Sequence, residues 1–103
     1  MISSFVLMSD WLFNDPPNVA VLTTHQVLNG ETILYVSHDE EDGAWQFHTG
    51  EIIGESNAKV VALKRIVELD HSVMQLADLP LGWVATRSEA GTIWQRLKCN
   101  SRL

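Results

Sequence analysis

The first 58 residues contain neither lysine nor arginine. Phosphate backbones are gripped by clustered basic side chains, so this half has nothing to offer a nucleic acid, and none is expected as a partner. Cysteine is nearly absent too. The lone Cys99 cannot close an internal disulfide, and a reducing, cytoplasmic setting is the expectation. No apolar run approaches the roughly 20 residues of a membrane span, so no membrane partner is expected. The opening "MISSFVLM" lacks the basic start and long apolar stretch of a secretory signal. There is no P-loop, no G-x-G-x-x-G and no G-x-S-x-G elbow, which removes the common phosphate-binding loops and the exposed serine nucleophile. Repeats, low-complexity tracts and linkers are missing as well.

What remains has a globular composition. At 103 residues with 46% apolar and 19% charged side chains, the chain suits one domain with a core of its own. Its net charge of −6 is unevenly spread: nine acids and no bases through residue 58, then four acids and seven bases, giving −9 and +3. A basic or mixed-charge protein would be steered toward the first half. Solubility alone is the plainer reading of the same numbers.

Residues 1–17 read as an N-terminal arm or short helix that ends before "NDPP", because Pro16 and Pro17 exclude a helix interior and a central strand. Phe5, Trp11 and Phe13 are large enough to pack such an arm onto the domain formed by residues 18–103. "NVAVLTT" (18–24) and "TILYVSH" (32–38) are β-branched strands, and Asn29-Gly30 between them is a tight-turn dipeptide. "DEEDG" (39–43) is a loop and "AWQFH" (44–48) a third strand, with Trp45 and Phe47 alternating onto one face. "KVVAL" (59–63) suits a short edge strand. Leu63, Ile66, Val67, Val73, Met74 and Ala77 then fall at helical spacing. Asp70 and Ser72 cap well and interrupt it, which predicts helices over 63–69 and 72–78. Pro80 and Gly82 stop the second helix, and strands 82–88 and 92–97 follow as a hairpin around "EAG". The fold class is thus α+β: a single domain with an antiparallel sheet of about five strands, two short helices on one face and the N-terminal arm. Trp45, Trp83 and Trp94 are expected at or near the core.

The most chemical-looking stretch is "SHDEEDGAWQFHTGE", residues 37–51. Read as a calcium loop from Asp39, its sixth position is Ala44 and its twelfth Gly50, where a glycine and a bidentate glutamate are needed. His38 and His48 are too far apart in sequence for a usual zinc pair and have no cysteine near them. Four adjacent acids on a solvated turn lack the burial that makes a general acid. Ser37, His38 and Asp39 are consecutive on a strand and point to alternate faces, so they cannot assemble a triad. Nothing suggests a metal, a cofactor or a catalytic group. The run reads as a hairpin turn, with docking as a second role.

The motif Asp42-Gly43-Ala44-Trp45-Gln46-Phe47 with Gly50 is followed by Ile66 to Asp70 with Ser72, then Leu79-Pro80-Leu81-Gly82, and finally Arg87. Taken together, these segments resemble a family of small bacterial proteins of unknown function. The likeness spans roughly residues 18–96. Some members look like immunity proteins of bacterial toxin systems, which implies protein binding and assigns no catalytic residue. His71 departs from the pattern, which has proline there, and Gln46 stands where some members carry arginine.

The leading expectation is a non-enzymatic protein-interaction module, immunity-like by resemblance, meeting its partner through Asp39, Glu40, Glu41, Asp42, Glu51 and Glu55. Asp42, Gly43, Trp45, Phe47, Gly50, Asp70, Pro80, Gly82 and Trp83 are read as structural motif positions. The alternative is a small-molecule binder or enzyme with a pocket between sheet and helices, beside Trp45, Trp83 or Arg87. A homodimer through an edge strand such as 92–97 is a third possibility.

Overall fold

The computed structural model describes residues 11–50 and 57–99. Among these, six strands form one sheet: β1 (Ala20–Thr24), β2 (Tyr35–His38), β3 (Trp45–His48), β4 (Ala58–Ala62), β5 (Trp83–Thr86) and β6 (Gln95–Lys98). Their spatial order is β4-β1-β3-β2-β5-β6. The helical elements are α1 (His25–Leu28), α2 (Leu63–Leu69) and a 3-10 helix (His71–Leu76). Their buried side chains, including Val27, Leu63, Ile66, Val73 and Leu76, share one core cluster with Val36, Phe47 and Ala85 of the sheet. This is an α+β domain.

The sheet departs from the sequence expectation in two ways. It has six strands rather than five, and it is mixed: β1 runs parallel to β3, with Leu22 opposite Gln46, while every other pairing is antiparallel. The cause lies between β1 and β2. Thr24 has extended backbone, and its hydroxyl accepts the Val27 N–H, opening the single turn of α1. Asn29-Gly30 then closes that turn, with the Gly30 N–H donating to Val27 and Gly30 at φ 106°. The dipeptide ends a helix instead of folding a hairpin. The chain therefore skips one strand position, and β3 fills it beside β1.

The remaining elements lie close to their expected positions. α2 occupies residues 63–69, and the second helix begins at His71 and is wound as a 3-10 helix. Asp70 makes the break: its side chain accepts the Ser72 N–H at 3.0 Å and the Ser72 hydroxyl at 2.7 Å. It does so without a proline, since the exposed His71 follows it. β5 and β6 pair as an antiparallel hairpin, and β4 lies on the outer edge next to β1.

Residues 11–17 form no helix. Phe13 is buried and meets the Trp45 ring edge-on at 5.1 Å, and Trp11 tilts against Phe13 at 5.7 Å. The Asp15 carboxylate accepts the Trp45 indole N–H at 3.0 Å, and its carbonyl accepts that of Trp11 at 2.8 Å. Trp45, Phe47 and Trp94 are buried, and Trp83 is half-buried against the core. The structure of residues 1–10, including Phe5, lies outside the described part.

Candidate functional site

The acidic run is the tip of the β2–β3 hairpin. The Asp39 N–H donates to the Ala44 carbonyl at 2.8 Å, and the Gly43 N–H donates back to Asp39 at 2.9 Å. Gly43 takes φ 73°, a conformation that opposes a side chain, which explains a glycine after the acids. Glu40, Glu41 and Asp42 are exposed, whereas Asp39 is half-buried and held by two donors: Gln46 Nε2 at 2.7 Å and the Ser37 hydroxyl at 3.2 Å. Asp42 accepts the Ala44 N–H at 3.0 Å. The three ion pairs among the described residues all lie elsewhere, so no described cation neutralises the tip. Glu51 and Glu55, expected to extend this surface, lie outside the described residues.

Below the tip, His38 stacks on Trp45 with ring centroids 3.8 Å apart. Its Nδ1 lies 2.7 Å from the Leu79 carbonyl, so that nitrogen carries the proton and donates. The Gly82 N–H donates to the His38 carbonyl at 2.7 Å, and the Pro80 carbonyl accepts from Trp83 at 3.1 Å. The turn through Pro80 and Gly82 is thereby pinned to β2. Gly82 has φ 82°, and an added Cβ would come within 3.2 Å of the Glu40 carboxylate. His38 and Asp15 are the contributors that sequence reasoning missed. Both act across long sequence separations, and no local pattern announces them.

A second cluster gathers Asp70, Ser72 and Arg87. The buried Arg87 donates from Nε to the Ile33 carbonyl at 3.0 Å, from Nη1 to Ser72 at 3.0 Å and from Nη2 to Asp70 at 2.5 Å. Its guanidinium also lies over the Trp94 ring, 4.1 Å from the centroid. Beside it is a half-open cavity of about 310 Å³, lined by Val27, Glu31, Ile33, Asp70, Ser72 and Arg87 among others. The polar groups at its floor bond to one another. Ser72 donates its hydroxyl proton to Asp70 and accepts from Arg87, and no imidazole among the described residues bonds to it.

On the sheet face opposite the helices, Tyr35 and His48 stack at 4.4 Å. Burial lowers the His48 pKa, and its Nδ1 accepts the Gly50 N–H at 3.1 Å, which places the proton of the neutral ring on Nε2. Gly50 takes φ 100° there. Burial raises the Tyr35 pKa, with smaller contributions from Cys99 and Asp39, so the phenol keeps its proton near neutral pH. Among the described residues no group of three or more His, Cys, Asp or Glu side chains is placed to hold a metal ion. No described helix is long and apolar enough to cross a membrane.

No protein-family model matches the chain, and no curated protein or solved structure matches it either.

Proposed function

We propose that this protein is a non-enzymatic interaction module of the bacterial cytoplasm that meets a basic or mixed-charge protein through its acidic first half. One observation carries the reading: Glu40, Glu41 and Asp42 stand exposed on a hairpin tip with no described cation paired to them. A basic surface approaching that tip gains attraction and a faster encounter. The resemblance to a family with immunity-like members supports the same class. Affinity purification from the native host at low and high salt tests it. The expected result is a basic protein recovered at low salt and released at high salt; recovery of no salt-sensitive protein partner contradicts the proposal.

The cavity beside Arg87 supports a second reading, a small-molecule binder, although it opens between the α1–β2 loop, the helix break at Asp70 and the β5–β6 turn rather than between helices and sheet. A thermal-shift screen of metals and metabolites discriminates the two. A ligand that raises the melting temperature of wild type but not of an Ala90→Trp variant favours the pocket, and a flat response retires it.

A further inference from the structure

The sheet sorts its charges by face. Val21, Val36, Phe47 and Ala85 lie on the helix-covered face, within the core cluster. Side chains alternate along a strand, and cross-strand partners share a face. By that register Lys59 opposite Thr23, Arg96 opposite Ala85 and Lys98 opposite Trp83 all belong to the covered face. Arg96 indeed reaches the Gln75 carbonyl and Asp78 in the helical layer. These three are all the lysines and arginines on the six strands, so the other face carries none.

One row of side chains crosses that other face from edge to edge: Val60, Leu22, Gln46, Ser37, Val84 and Leu97. Its four apolar members stand outside the core cluster; Val60 and Leu97 at the edges are each 68% exposed, Leu22 is half-buried, and Val84, like Ser37 beside it, is buried among its neighbours. The two polar members at the centre, Gln46 and Ser37, both donate to the Asp39 carboxylate and draw it over the row. Among the described residues no helix packs on this face. It is a strip with apolar side chains exposed toward both edges, an anchored carboxylate at its middle and the acidic tip at its margin.

Resting on the interaction-module reading, we propose that this open face is the docking surface, and that its occupant is a basic protein. The partner's apolar side chains cover the strip, and a lysine or arginine among them reaches Asp39. Charge complementarity selects this occupant over a second copy of the chain. Two copies packed face to face would bring no strand lysine or arginine to either Asp39.

The test uses the full chain, methyl-labelled for NMR, and two soluble strand peptides, one alternating lysine with valine and the other glutamate with valine. The lysine peptide is expected to shift the methyl signals of Leu22, Val60 and Leu97 while leaving those of Val21 and Val36 in place. Leu97→Asn weakens its binding about tenfold, and Asp39→Asn weakens it severalfold. Leu97→Ser and Val60→Ser, at exposed positions that leave the core intact, weaken it in the same order if the strip is the contact. Backbone amide shifts confined to residues 40–42, read on a 15N-labelled sample of the same chain, overturn the open-face proposal and leave the acidic-tip reading standing. No response at either place overturns both. Equal binding of the glutamate peptide overturns the charge argument.

Discussion

Arg87 is the side chain on which the helix break, the β2 entry and the β6 hairpin converge, since it bonds to Asp70, Ser72 and Ile33 and lies over Trp94. Removing one partner of a buried pair leaves the other charge uncompensated, at about 3–5 kcal/mol when both are fully buried. Asp70 is 24% exposed at the side chain, so Arg87→Ala is expected to lose about 2–4 kcal/mol in denaturant titration. Lysine cannot reproduce the three-way fork and recovers less than half of that. Trp94 makes the opposite prediction. Its indole N–H is buried without a partner among the described residues, and its ring serves Arg87. Trp94→Phe removes the orphan donor, keeps a face for the guanidinium, and stays within about 1 kcal/mol of wild type. His48 supplies the pH dependence. Its folded pKa lies below the unfolded value, so the unfolded chain binds more protons in the window between the two. Stability therefore declines as pH falls through roughly 6.5 and levels off below the folded pKa. Thermal melts across that range show the decline, and His48→Gln flattens it.

The β2–β3 hairpin and the turn through Gly82 behave as one unit, because Gly82 bonds to His38 and the Glu40 side chain lies over it. Gly82→Ala is expected to cost about 1–2 kcal/mol from the positive φ, and the additional substitution Glu40→Ala relieves only the smaller, steric part. Elements held by local chemistry were legible in the sequence. The Asp-Gly turn after the acids, the alternation of Trp45 and Phe47, and the capping break at Asp70 each follow from neighbours within a few residues. The parallel contact of β1 with β3 was not, since Asn-Gly serves a hairpin and a helix end equally well. Nor was the bond from Asp15 to Trp45, which joins positions 30 residues apart that no spacing rule connects. Of the candidate surface, the exposed tip was readable from four consecutive acids. The apolar strip was hidden, because it draws one residue from each of six strands whose order only tertiary structure determines.

Across the whole molecule, charge is divided twice: along the chain, where the first 58 residues hold no base, and through the sheet, where every strand lysine and arginine faces the helices. The division leaves one broad surface to attract cations. The β6 edge, in contrast, carries Arg96 and Lys98, which oppose like charges in an antiparallel self-pairing. Light scattering is accordingly expected to find a monomer, and a dimer lost on Leu97→Lys would restore the edge-strand alternative. The most direct test of the account compares two baits in host extract, the wild-type chain and a Glu40→Gln, Glu41→Gln, Asp42→Asn variant. Both are expected to melt at the same temperature, because the three side chains are exposed and the asparagine keeps an oxygen for the Ala44 N–H. The account predicts a basic protein held by wild type at low salt, released at high salt and recovered far less by the variant. The same proteins on both baits at both ionic strengths would contradict it.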